Sequence, residues 1–169
     1  MKISILFSLF AAGLFALVST NAALAGEVQL ACPADLTDAE QLGSCPSTQE
    51  LKEGYDATCP SVMAKRNECK PYATYAKSKS KALWGVTSGG EEFLSYVRCS
   101  LPPETVKASK PQSVKVKCDM GSGRCEAQCG YENDFVLKLR FKGECKTANA
   151  GTIDCKDDPK ACVVTCETF

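Results

Sequence analysis

The sequence predicts a small disulfide-rich α+β protein, with short helices in its N-terminal half and antiparallel β-structure in its C-terminal half. Three observations support this: the chain of 169 residues has twelve cysteines, helix-capping patterns occur near its start, and apolar residues alternate with polar ones beyond residue 112. The even number of cysteines allows six bridges with no thiol left over. Because a core of this size cannot stabilise the fold unaided, we expect the disulfides to decide whether the protein folds.

The first 25 residues are expected to be a cleavable signal peptide. Lys2 precedes the uncharged apolar stretch 3–18, and residues 23–25 form the small-x-small pattern of a cleavage site. That site and the weak single-charge flank make a membrane anchor the less favoured alternative. Without residues 1–25 the chain has 144 residues, with 20 acidic and 19 basic side chains, so its net charge of −1 does not favour nucleic acid or anionic membranes. We therefore expect a secreted, extracellular protein with no transmembrane anchor after processing.

The rest of the chain divides into three segments. Residues 26–101 are a cysteine-rich, more helical half, residues 102–112 a polar, proline-bounded extended connection, and residues 113–169 a cysteine-rich β half. Within the last segment a spacing repeats after 37 residues, Cys118, Cys125 and Cys129 recurring as Cys155, Cys162 and Cys166. Five cysteines precede the connection and seven follow it, so if all twelve pair, an odd number of bridges crosses it.

Helix signals are concentrated in the first half. Residues 37–40 and 47–50 both have the pattern of a capping box, in which a hydroxyl and a carboxylate three residues apart satisfy the free amides of a first helical turn. Residues 62–70 and 72–84 are compatible with further helices. Residues 91–99 fit either a helix or a strand.

Strand signals dominate the second half. Alternating apolar residues predict strands at 114–118 and 135–141, and a last short strand at 162–166. Residues four apart in a strand are about 13 Å apart, whereas a disulfide needs Cα atoms within about 7 Å. If these stretches are extended, Cys125 cannot bond Cys129, and the corresponding pair of the second repeat cannot bond either.

Residues 69–162 resemble tandem sushi (complement control) modules. Two groups of four cysteines follow one another, and Gly89-Gly90 with Phe93, Tyr96 and Cys99 is similar to the approach to the second cysteine in that family. The family tryptophan between the third and fourth cysteines is missing from both groups. The resemblance implies bridges between the first and third and between the second and fourth cysteines of each group: Cys69–Cys118, Cys99–Cys125, Cys129–Cys155 and Cys145–Cys162.

The composition restricts the available chemistry. The chain has no histidine, which excludes Ser-His-Asp and Cys-His relays and histidine-ligated metal enzymes. It has no Cys-x2-Cys knuckle for structural zinc and no P-loop, so we predict no metal and no cofactor. Adjacent acids at Glu91-Glu92 and Asp157-Asp158 leave a carboxylate hydrolase as the remaining catalytic option, although such acids are more often cap and turn residues.

A binding site is predicted where basic residues alternate with aromatic ones. Such a cluster could hold a sulfated glycan or an acidic protein. The alternative, which we favour because charge runs usually only solvate a surface, is an exposed helix face with the rings packed inward. The candidate residues are Lys65, Arg66, Lys70, Tyr72, Tyr75, Lys77, Lys79, Lys81 and Trp84.

These observations favour a secreted, non-catalytic recognition or structural protein that binds an extracellular protein or an anionic glycan. A secreted enzyme inhibitor or toxin-like effector is the first alternative, and a carboxylate-based glycan hydrolase is the second.

Overall fold

The computed structural model describes residues 26–59, 69–119, 121–146, 148 and 151–168. The predicted signal peptide, most of the predicted helix 62–70, and the candidate residues Lys65 and Arg66 lie outside these ranges.

Antiparallel β-structure predominates throughout the described chain. Strands hold 46% of the described residues and helices 24%. The strands are β1 (Gly26–Ala31), β2 (Glu40–Gln41), β3 (Lys81–Ser88), β4 (Glu91–Arg98), β5 (Pro111–Asp119), β6 (Arg124–Tyr131), β7 (Val136–Cys145), β8 (Thr152–Asp154) and β9 (Val163–Thr168). The helices are α1 (Thr48–Thr58), α2 (Tyr72–Lys79) and α3 (Pro103–Ala108), with short 3-10 turns at Glu132–Asp134 and Pro159–Ala161. The predicted α+β class is therefore wrong.

The β3–β4 hairpin accounts for most of this error. The end of the predicted helix 72–84 is strand, because Ala82, Trp84 and Val86 alternate inward as a half-buried strand requires. The ambiguous segment 91–99 is its partner, and the buried Phe93 lies directly opposite Val86. Gly89 and Gly90, both with positive φ, form the tight turn between the strands.

Two local predictions in the first half have opposite outcomes. The capping box at Ser47 is confirmed: its Oγ accepts the Glu50 amide (3.2 Å), and the Glu50 carboxylate accepts the Ser47 amide (2.7 Å). The box at 37–40 is wrong, because Thr37 bonds the Asp35 carboxylate instead, in a turn that leads into β2.

The connection 102–112 is not extended. It contains α3, which begins with a proline in its first turn, where the missing amide hydrogen costs nothing, and which buries Val106 in the core.

The sheet branches at β7. Its strand order is β2-β3-β4-β7-β6-β5-β8, and β7 pairs along its length with β6. On its other side β7 meets β4 at Lys138 and β9 at residues 143–145, and β9 pairs with β1. Gly143 lies at the branch, where an added Cβ would be only 2.3 Å from the Glu167 carbonyl oxygen.

One apolar core lies between the inner face of β3–β7 and the β1–β9 pair. Its side chains include Val114 and Val116 of β5, Leu137 of β7 and Val164 of β9, as the alternation in the sequence predicts. Tyr131 stacks on Phe135 with ring centroids 5.1 Å apart.

Tyr131 also anchors the segment after β1. Its hydroxyl donates to the Pro33 carbonyl (2.7 Å), and burial raises the pKa of the Tyr131 hydroxyl. The ring therefore fixes the start of the β2 segment against the core.

All twelve cysteines are bridged, which confirms the predicted six disulfides. The pairs are Cys32–Cys129, Cys45–Cys99, Cys59–Cys69, Cys118–Cys125, Cys145–Cys166 and Cys155–Cys162. Only Cys32–Cys129 crosses residues 102–112, so the predicted odd number of crossing bridges is one. The excluded bonds Cys125–Cys129 and Cys162–Cys166 are indeed absent from this fully paired set.

The four bridges implied by the sushi resemblance are wrong, since none of them forms. The register explains the difference. Cys118 and Cys125 are direct neighbours across β5 and β6, with Cα atoms 4.1 Å apart, and Cys145 and Cys166 are direct neighbours across β7 and β9. In both copies of the 37-residue spacing the first two cysteines bond each other, while the third cysteines reach different elements.

Candidate binding face

The structure places the rings of the predicted basic–aromatic site against another ring or in the core. Tyr72 and Tyr75 pack edge-on against Tyr55 of α1, with ring centroids 5.4 and 5.3 Å apart. Trp84 lies in the core and is 5% exposed. The described lysines of the site, Lys70, Lys77, Lys79 and Lys81, are exposed. Binding by these lysines remains a prediction.

A second basic surface covers the outer face of β5, β6 and β7. Residues that alternate away from the core align across the three strands in a register of three rows, which we call the cationic grid. Its rows are Asp119–Arg124–Lys142, Lys117–Glu126–Arg140 and Lys115–Gln128–Lys138. Neighbouring strands are about 4.8 Å apart, and neighbouring rows about 7 Å apart. Six cations and two carboxylates therefore share a small, rigid surface with a net charge of +4.

The cationic grid is not among the sites predicted from the sequence. The alternation of lysines in 115–117 and of basic residues in 138–142 is visible in the sequence, and it predicted the strands correctly. The order and register of the sheet place β6 between these two strands. They also align the basic residues of the two strands in the same rows.

Glu126 occupies the middle of the grid. One carboxylate oxygen accepts from Lys138 Nζ (2.9 Å) and Gln128 Nε2 (2.6 Å), and the other from Arg140 Nε (3.1 Å). Partial burial alone would raise the pKa of Glu126, but these three donors outweigh it and lower the pKa to about 2. The carboxylate is thus charged at all physiological pH values and holds two cations in place.

The other grid carboxylate belongs to a turn. Asp119 accepts hydrogen bonds from the Ser122 hydroxyl (2.7 Å) and the Gly121 amide (3.0 Å), which close the β5–β6 connection and lower the pKa of Asp119. A shallow cavity of about 710 Å³ lies at this end of the grid, lined in part by Lys117, Arg124 and Lys142.

A groove adjoins the grid between β7 and β4. It has a volume of about 720 Å³ and opens where these two strands share a single residue pair, Leu94 with Lys138. Tyr96 is 66% exposed, the most exposed large apolar side chain in the described ranges. Lys81 of the predicted basic site lines this groove, together with Leu83, Glu92, Leu94, Tyr96, Lys138 and Arg140.

The candidate catalytic acids lie in a strand and beside a 3-10 turn. Glu91 and Glu92 are consecutive in β4, where neighbouring side chains leave opposite faces of the strand. Asp158 accepts the Lys160 amide (3.1 Å) and caps a 3-10 turn. The pairs therefore have the structural positions that cap and strand residues usually occupy.

Three sulfur atoms lie close together at one end of the sheet. The Sγ atoms of Cys118, Cys125 and Cys145 are within 4.8 Å of one another. Each belongs to a disulfide and so offers no thiolate to a metal ion.

No protein-family model matches this chain, and no curated protein or solved structure matches it either. None of the helices in the described residues has the length and hydropathy needed to cross a membrane.

Proposed function

We propose that the protein is a secreted, non-catalytic recognition protein that binds an anionic extracellular partner through the cationic grid. The observation that carries this proposal is the alignment of six cations around the partly buried carboxylate of Glu126. The sheet that holds them is cross-linked by disulfides. Six disulfides suit an oxidising compartment such as the extracellular space.

The charges of the grid are only partly neutralised within the protein. Glu126 pairs with Lys138 and Arg140, whereas Lys115, Lys117 and Lys142 make no ion pair with any described residue. Their charges are therefore available to a ligand.

The register also places like charges together. Arg124 lies directly opposite Lys142 across β6 and β7, an arrangement that destabilises a sheet. Asp119, which lies opposite Arg124 on the other side, offsets this repulsion in part, and an anionic partner would relieve the remainder.

The test compares two triple variants that remove the same charge. One replaces Lys115, Lys117 and Lys142 with Ser, and the other replaces the exposed Lys70, Lys77 and Lys79, none of which lines the groove, with Ser. Retention on a dextran sulfate column is measured in a salt gradient for both variants and for the wild type. We expect the grid variant to elute at clearly lower salt, because each lost contact with a sulfate releases about one counterion fewer. The other variant should elute with the wild type.

Equal shifts for the two variants would contradict the proposal, because net charge alone would then explain retention. A shift confined to the second variant would place the site on α2 and the residues just before it instead.

A further inference from the structure

We infer that the anionic partner is an acidic polysaccharide, whose chain crosses the cationic grid and places one sugar ring in the groove against Tyr96. This inference rests on the proposed function and specifies the chemical class of the ligand.

Tyr96 presents an exposed aromatic ring from a fixed backbone position. Its ring is 66% exposed, although its strand is held on both sides, by β3 along its whole length and by β7 at Leu94. Tyr96 lies directly opposite Leu83, so its backbone position is fixed by the hairpin. A rigid aromatic ring provides contact area at a small cost in side-chain entropy, and the apolar face of a pyranose packs well against such a ring.

Both hydrogen-bond donors and a hydrogen-bond acceptor line the groove beside the Tyr96 ring. Lys138 and Arg140 belong to both the grid and the groove and can donate to a sulfate or carboxylate. Glu92, which leaves the same face of β4 as Leu94 and Tyr96, lines the groove and can accept a hydrogen bond from a hydroxyl group. An acidic sugar offers an anionic group, hydroxyl donors and an apolar ring face in a single unit. A polyglutamate chain has no hydroxyls, and the Glu92 carboxylate would repel it.

The cationic grid and the groove form one continuous surface. One row of the sheet runs without interruption from Lys115 through Gln128 and Lys138 to Leu94. This row crosses four strands, a span of roughly 14 Å at the usual strand spacing. A linear polymer lying along it would contact the free lysine at one end and the groove at the other.

The experiment separates the ring from the charges. Binding of dextran sulfate and of poly-L-glutamate of similar length is measured by titration calorimetry for the wild type, Tyr96→Ala, Tyr96→Phe and the grid triple variant. Val28→Ala, which truncates another exposed apolar side chain outside the groove, is the matched control. Unfolding midpoints confirm that each variant is folded.

We expect Tyr96→Ala to weaken dextran sulfate binding about tenfold and to leave polyglutamate binding unchanged. Tyr96→Phe and Val28→Ala should bind dextran sulfate as the wild type does, and the grid variant should lose affinity for both polymers. If Tyr96→Ala binds dextran sulfate normally, the inference is overturned while the grid remains a site. If polyglutamate binds as tightly as dextran sulfate, the partner is an acidic protein. If the grid variant binds normally, the proposed function itself fails.

Discussion

The helical hairpin of α1 and α2 and the branched sheet are held together in different ways. Neither α1 nor α2 has a buried residue, and their described contacts centre on Tyr55 and its two tyrosine neighbours. The Cys59–Cys69 bridge closes this hairpin over a separation of 10 residues. The sheet has a continuous apolar core, and Cys32–Cys129 ties it together over 97 residues. Disulfides thus replace a core in the first region and connect distant parts of a core in the second.

Removing one disulfide from each region should give the largest difference in unfolding free energy between the two regions. The double variant Cys32→Ala, Cys129→Ala should lose about 4.7 kcal/mol of unfolding free energy, because its bridge closes the longer loop of the unfolded chain. The variant Cys59→Ala, Cys69→Ala should lose about 2.7 kcal/mol. Guanidinium unfolding of both variants measures the difference.

Equal losses would contradict this prediction, because they would show that bridge length does not set the contribution. Far-UV circular dichroism provides a control. The second variant should keep its β signal while losing helix, since the sheet does not depend on the hairpin bridge.

Replacing one glycine in each region should also affect the stability of the two regions differently, with smaller changes. Alanine at Gly143 would place a Cβ 2.3 Å from a backbone oxygen of β9, which cannot move without breaking the branch of the sheet. We expect Gly143→Ala to cost about 1–3 kcal/mol.

Gly54→Ala is the matched substitution. Its Cβ would meet only the Tyr75 hydroxyl (2.7 Å), at the end of a side chain that can turn away, and alanine favours the helix by about 1 kcal/mol. We expect its thermal midpoint to stay near the wild-type value or rise. A larger loss for Gly54→Ala than for Gly143→Ala would show that the hairpin is the more tightly packed region.

The sequence indicated those features that depend on neighbouring residues. The Ser47 cap, the inward alternation around Val114 and Leu137, and the exclusion of the Cys125–Cys129 bond all follow from local geometry, and all are present. The β3 strand was missed because its flank at 72–79 is helical, and the helix pattern was extended through Trp84.

The candidate site could be anticipated only in part. Lys117 and Arg140 share a row with Glu126 because of the register of two successive hairpins, β5–β6 and β6–β7, and this register depends on where the strands and turns end, which alternation alone does not fix. The same applies to the disulfides, because Cys118 bonds Cys125 as a consequence of hairpin register. Tyr96 alternates with core residues of its own strand, but its place beside Lys138 follows from the single contact between β4 and β7.

The ion pairs of the two regions should differ in their response to acid. The pKa of Glu126 is about 2 in the folded protein against an ordinary value of 4.5, so its charged form stabilises the fold fully above about pH 5. This contribution is lost as the pH falls from 4.5 towards 2. The stability difference between the wild type and Glu126→Gln, measured by urea unfolding, should therefore be constant from pH 5 to 7 and shrink below pH 4.5. Asp56→Asn, which removes the exposed Lys52–Asp56 pair of α1, should cost at most about 0.5 kcal/mol at neutral pH. A Glu126→Gln difference that stays constant down to pH 2 would show that the three donors do not hold this carboxylate, and the ordering of the grid around it would then need another cause.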